Sequence, residues 1–254
     1  TLDRLGNDWF LAELAKRRGQ PLAPARPFHF TQNGDQLGWQ QGDDGLWQAT
    51  LFIENGRVDG ALRDQLEGFF QQYGGRGRLT TNQNLQLIQV EEHELEQIGW
   101  RLDDLGLSHR LSPSQQAAHT LSCVALPTCG LAMAEAERYM PDLLDLFNRL
   151  KHQYQLDELP IPLRVTGCPN GCARPYLAEI ALTGRAPGLY NLYLGGSFHG
   201  DRMARLYASN VSEARLIDLL APLFKAYREE HQTGEYFGDF LHRTRRLDSQ
   251  AVDL

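Results

Sequence analysis

Apolar residues along this chain recur at spacings that change from segment to segment. Trp9, Phe10, Leu11, Leu14 and Ala15 share one helical face, and Gly19 stands where a left-handed cap would end that helix. Pro21, Pro24 and Pro27 then impose an extended connection. Between Trp47 and Ile53 apolar and polar residues partly alternate, and Asn55-Gly56 supplies a turn, which predicts a strand ending in a tight reversal. Leu62 to Tyr73 has helical spacing through Leu66, Phe69 and Phe70 and is closed by Gly74-Gly75. Arg78 to Thr81 and Leu85 to Val90 read as short strands, and Glu91 to Leu105 as a charged amphipathic helix. Strand, helix, strand, strand, helix predicts a ferredoxin-like α+β unit over residues 38–110.

Beyond Ser112 the pattern suits an α/β layer. Leu131 to Lys151 reads as mostly helical, interrupted or kinked near Pro141 because proline lacks the amide that a helix interior needs. Leu163 to Thr166, Ile180 to Thr183 and Tyr190 to Leu194 are strand candidates. Val211 to Arg228 is an amphipathic helix with Leu216, Leu219, Leu220, Leu223 and Phe224 on its apolar face. The expected organisation is a helix and linker over 1–37, the ferredoxin-like unit over 38–110 and an α/β unit over 111–254, with no internal repeat and no low-complexity segment.

At 254 residues and 42% hydrophobic the chain can bury a sizeable core. A formal charge of -7 gives no electrostatic reason to expect nucleic acid. No apolar run approaches the ~20 residues that span a bilayer, so no membrane association is expected and the cytoplasm is the default location. The chain opens at Thr1 without an initiator Met, directly into a helical pattern. A removed leader or a boundary would explain that start, as would a partner half preceding Thr1.

The four cysteines carry the candidate chemistry. They form two groups, Cys123 with Cys129 and Cys168 with Cys172, with none left over. In a cytosolic chain such groups are more often metal ligands than disulfides. Zinc favours pairs two to four residues apart, whereas an iron–sulfur cluster tolerates wider and unequal spacing because each thiolate takes a different corner. The cluster therefore ranks above zinc, and zinc above two disulfides. Pro127, Thr128 and Gly130 shape the first loop, with a helix expected to start at Leu131, and Pro169, Asn170 and Gly171 shape the second. Amides freed at a helix start would stabilise cluster charge and raise its potential.

CVALPTCGLAMAEAERYMP followed by RVTGCPNGCARPYLAE resembles the cluster motifs of assimilatory sulfite reductase haemoproteins, within the sirohaem nitrite and sulfite reductase family. LFIENGRV, RLTTNQNLQLIQV and YNLYLGG also resemble segments of that family, and TLDRLG resembles the point where its second half begins. The resemblance, which runs over nearly the whole chain, implies the carboxy-terminal half of a pseudo-twofold sirohaem reductase. It further implies a 4Fe-4S cluster on Cys123, Cys129, Cys168 and Cys172, with Cys172 bridging to the sirohaem iron, for the six-electron reduction of sulfite to sulfide. The basic substrate pocket would lie mainly in the other, amino-terminal half, so this half alone is expected to be inactive. Thr166, Asn170, Gly171 and Arg174 are candidates for the sirohaem surround, with Arg174 meeting a carboxylate there or in a surface salt bridge. Arg78, Thr80, Asn82, Gln83 and Asn84 are read as solvated or capping groups, and His119 as a loop residue behind the ligands. His93, His152 and His199 lack paired ligand spacing. Met133 and Met140, seven apart, are read as one apolar helical face. The implied electron donor is an NADPH-dependent flavoprotein reductase, with ferredoxin as the alternative. A sirohaem nitrite reductase half, a noncatalytic four-cysteine zinc module and a cofactor-free folded fragment remain as rival readings.

Overall fold

The structure is a computed structural model that describes residues 2–31 and 33–248. Contacts divide the chain into two compact units, residues 1–31 and 32–254. The first holds helix α1 (Leu2–Arg18), broken at Gly6 and followed by Gly19 in the left-handed region at φ 75°, as the sequence pattern expects. Among the described residues no helix is long and apolar enough to cross a membrane.

The second unit contains two sheets. Strands β1 (Gly38–Gln41) and β2 (Trp47–Leu51) precede helix α2 (Gly60–Tyr73), strands β3 (Arg76–Leu79) and β4 (Leu85–Val90), and helix α3 (Leu95–Asp104). The sheet is antiparallel in the order β1-β2-β4-β3. This is the ferredoxin-like arrangement with its fourth strand supplied from the amino-terminal side by β1, a four-residue edge strand too short to register as a pattern. Asn55 and Gly56 make the expected turn, at φ 51° and 68°, and pass the chain toward α2. The Asp59 carboxylate caps α2 by accepting the Leu62 amide at 2.9 Å, and Gly74 ends it at φ 62°. Burial of Leu51, Phe69, Leu87, Ile98 and Leu102 joins this sheet to its helices.

Helix α4 (Gln115–Ala118) leads into the second sheet, whose order is β5 (Thr120–Ser122), β6 (Leu163–Thr166), β7 (Ile180–Ala186), β8 (Leu189–Leu194) and β9 (Arg205–Val211). The first three strands are parallel and the last two antiparallel. Helix α5 (Met140–Gln153) lies in the connection from β5 to β6, and helices α6 (Glu213–Glu230) and α7 (Phe237–Arg243) complete the unit. Phe147, Leu163, Ile180, Leu192, Phe224, Tyr227 and Phe240 are all within its core.

Three expectations are corrected here. Residues 131–139 are turns, and the helix begins at Met140 with Pro141 in its first turn, where a missing amide costs nothing. Met133 and Met140 therefore do not share a helical face: Met140 is 2% exposed, whereas Met133 lies in the turns and is 41% exposed. Val211 ends β9, and α6 starts only after the Ser212 cap. The short strands β5 and β9 and helix α7 were not foreseen.

Candidate metal centre

Both cysteine groups emerge from the carboxyl ends of adjacent parallel strands, the position where open α/β sheets place their ligand crevices. Ser122 on β5 is opposite Val165 on β6, so Cys123 and the Thr166-Gly167-Cys168 run begin side by side. The Cys123 amide extends the ladder by donating to the Val165 carbonyl at 3.1 Å. Its sulfur accepts the Gly167 amide at 3.2 Å and the Thr166 hydroxyl at 3.5 Å. Amide donors of this kind delocalise thiolate charge and tune a bound metal.

The first loop closes on itself through the Cys129 amide, which donates to the Ala125 carbonyl at 2.8 Å, with Ala125 in the left-handed region at φ 45°. It then folds over the second loop. The Met133 and Ala134 amides both donate to the Gly167 carbonyl, at 2.8 and 3.1 Å, and the Glu137 amide donates to the Cys123 carbonyl. These bonds, and no helix start at Leu131, occupy the amides of that segment. Gly167 is squeezed between the loops, because a Cβ there would lie 2.7 Å from the Ala125 Cβ and 2.8 Å from the Ala134 carbonyl oxygen.

In the second loop Gly171 turns the chain at φ 69° and the Arg174 amide donates to the Gly171 carbonyl at 2.8 Å. Cys168 is buried, Cys123 and Cys129 are half-buried, and Cys172 is exposed beside the exposed Pro169 and Asn170. Thr166 is fully buried, and its hydroxyl also lies 3.4 Å from the Cys168 carbonyl. All four thiols are free, so the disulfide reading is not what the structure adopts. Among the described residues no three Cys, His, Asp or Glu side chains stand at the spacing of a single metal ion. The residues nonetheless fit a cluster in their chemistry: four free thiols on two interlocked loops, two donors already aimed at one sulfur, and one thiol presented outward.

Among the described residues Arg174 meets no carboxylate. Its guanidinium donates to the Thr81 carbonyl at 3.0 Å and to the Asn82 side-chain oxygen, because the β3–β4 turn reaches over the second cysteine loop. The polar residues of that turn are more than solvated groups. Thr80 caps the turn, accepting the Asn82 and Asn84 amides, but the Thr80 hydroxyl and the Asn82 and Asn84 side chains also converge on the Asp35 carboxylate. The Gln83 side chain donates to the Ser122 carbonyl at 2.9 Å, tying the first sheet to β5. Arg78 stays exposed on β3.

Arg164, on β6, is 4% exposed, and it donates to the Arg174 carbonyl at 3.0 Å and the Asn33 carbonyl at 3.1 Å. Burial, and then the Arg174 charge, push its guanidinium down to about 10, still cationic at neutral pH. His119 precedes β5 and so lies at the strand end away from Cys123; it bonds the Gln115 carbonyl, and burial lowers its pKa. Arg164 opens the second cysteine motif but has no role predicted there, and Asp35 carried no signal in the sequence, since each acts through contacts between distant segments.

Residues 39–104 match the family model described as nitrite/sulfite reductase ferredoxin-like half domain. The chain is 48% identical over 247 residues to the sulfite reductase (NADPH) hemoprotein beta-component of Afipia carboxidovorans, and 47% identical over 255 residues to that of Myxococcus xanthus. These alignments take in 96% and 99% of this chain but 42% and 45% of those relatives, so the chain spans less than half of their length. Among solved structures, the Mycobacterium tuberculosis NirA protein superposes with a TM-score of 0.77 at 25% identity, over 95% of this chain and 46% of NirA. A dissimilatory sulfite reductase I (DsrI) shares the fold, with a TM-score of 0.58 at 14% identity.

Proposed function

Because this chain belongs to the nitrite and sulfite reductase family and aligns with part of its sulfite reductase hemoproteins, we propose that it forms the cluster-bearing portion of a sulfite reductase. In this reading Cys123, Cys129, Cys168 and Cys172 would hold a 4Fe-4S cluster, and the exposed Cys172 would be the residue shared with sirohaem. The observation that carries it is the meeting of both cysteine loops at the carboxyl ends of β5 and β6, with the Gly167 amide and Thr166 hydroxyl donating to Cys123.

Cluster and sirohaem, when bound, would supply the stepwise electrons for reducing sulfite to sulfide. The chain's own residues would hold and insulate them. Thr166 and Gly167 stabilise one thiolate, the burial of Cys168 excludes water from another, and the turn at Gly171 exposes Cys172. The exposed Asn170 and the half-buried Gly171 lie in the turn that would flank the macrocycle, whereas Arg174 is engaged elsewhere. The names of the relatives carry NADPH, sulfite and a beta-component, which supports an NADPH-linked electron donor on a further component and sulfite as substrate; in this reading the donor is a flavoprotein reductase, and the remaining length of the hemoprotein supplies the rest of the site. A cytoplasmic setting would keep the thiols reduced for loading.

The test is iron and acid-labile sulfide per chain, with the absorption spectrum, for Cys123→Ser, Cys129→Ser and Cys168→Ser. Each is expected to lose most of its cluster, since a hydroxyl is a poor substitute for a soft anionic ligand. Undiminished iron and sulfide in any variant would remove that residue from the ligand set, and stoichiometric zinc in a colourless wild-type protein would overturn the reading.

A further inference from the structure

The loop that carries Cys172 is gripped by a partly buried polar brace drawn from segments far apart in sequence. Arg174 stands two residues after Cys172 in a left-handed conformation, at φ 51°, that a non-glycine residue does not hold without support. The support comes from two sides. Its carbonyl accepts the Arg164 guanidinium at 3.0 Å and the Leu177 amide at 3.1 Å. Its guanidinium reaches the Thr81 carbonyl and the Asn82 side-chain oxygen. Asn82 is itself fixed, since its NH2 donates to Asp35 at 2.8 Å. Asp35 is in turn held by Thr80 and by the buried Asn84, whose own oxygen accepts the Ile53 amide at 2.9 Å.

We infer that Asp35, Asn82 and Arg174 form a positioning relay that holds the Cys172 loop in place from the β3–β4 turn. The inference rests on the reading of Cys172 as the bridging thiolate. It assigns Arg174 an inward, orienting role in place of direct contact with a cofactor. The geometry is specific: both acceptors are served by one terminal nitrogen of Arg174, so a single ammonium brought to that point can replace it, while an unbranched apolar side chain leaves two acceptors without their donor.

The experiment compares Arg174→Lys, Arg174→Met and Asn82→Ala in the full-length polypeptide, first without cofactor by amide hydrogen exchange and then after loading with iron and sulfide. Arg174→Met and Asn82→Ala are expected to speed exchange at the Arg174 and Leu177 amides roughly tenfold or more, the factor set by losing one charge-assisted hydrogen bond. Strands β7 and β8 keep their protection, and Arg174→Lys stays near wild type. In the loaded protein the same two variants are expected to retain the iron count but show an altered electron paramagnetic resonance spectrum of the reduced cluster. Unchanged exchange at Arg174 and Leu177 in both disruptive variants would overturn the relay. So would equal damage from Arg174→Lys, or loss of protection spread evenly through β7 and β8 in both disruptive variants, which would mark a general structural role. A wild-type chain that binds no cluster while showing the expected exchange pattern would sink the cluster reading and leave the relay standing.

Discussion

Gly167→Ala probes the junction on which the candidate centre depends. The added methyl would lie 2.7 Å from the Ala125 Cβ, 2.8 Å from the Ala134 carbonyl oxygen and 3.1 Å from the Ala132 Cβ. None of these is the far end of a flexible side chain, and the Ala134 segment is tied back to the Gly167 carbonyl by two amides. Relief therefore requires the two cysteine loops to separate. Overpacking of this kind costs about 1–3 kcal/mol, and neighbours that are a carbonyl oxygen and two Cβ atoms, none able to move without its backbone, place this case near the upper end. For a chain of this size that corresponds to a melting temperature lower by roughly 6–12 °C. Separation would also draw the Gly167 amide from the Cys123 sulfur, 3.2 Å away, so cluster content should fall with stability. Gly130→Ala is the control: its Cβ would meet nothing within 4 Å and its backbone is not in the left-handed region, so it should change stability by less than about 0.5 kcal/mol. Thermal melts of cofactor-free protein and iron analysis of loaded protein decide the matter. A Gly167→Ala protein that melts within 2 °C of wild type (about 0.5–1 kcal/mol), or a Gly130→Ala protein that is equally damaged, would refute the interlocked-loop account.

Glu179 is fully buried and accepts the Gly238 amide at 2.6 Å, and burial, with Asp239 nearby and only partly offset by that amide and Arg202, pushes its carboxyl up to about 8. Its folded pKa exceeds its unfolded value, so the carboxyl costs nothing below about pH 4.5 and destabilises progressively as pH rises toward 8, with about 5 kcal/mol as a ceiling. Urea melts from pH 5 to 8.5 should show Glu179→Gln flattening this decline; a parallel decline in the variant would exclude Glu179 as its source. Met140→Ala should destabilise by about 2–5 kcal/mol by opening a cavity at the base of α5. Met133→Ala, in the exposed turns, should stay within about 0.5 kcal/mol, and the same melts compare the two.

Local pattern was enough for the elements whose own residues divide into a buried and an exposed face. Helix α2 and strand β4 fall where the periodicity places them, and α6 is displaced by only two residues at its start, because its Leu216, Leu220 and Phe224 stripe must face a core in any fold. The ligand candidates were equally legible, since thiol chemistry belongs to the residue type and the two close groups belong to the chain order. What the tertiary structure alone decided is how competing local preferences resolve. The stretch 131–139, rich in alanine, reads as helix, but the Gly167 and Cys123 carbonyls take its amides and hold it in turns. Strands β1 and β5 exist because β2 and β6 offer them partners, not because three or four residues prefer extension by themselves. The roles of Asp35 and Arg164 and the inward course of Arg174 were invisible for the same reason: hydrogen bonds between segments far apart in sequence leave no period, and only the folded chain brings donor to acceptor.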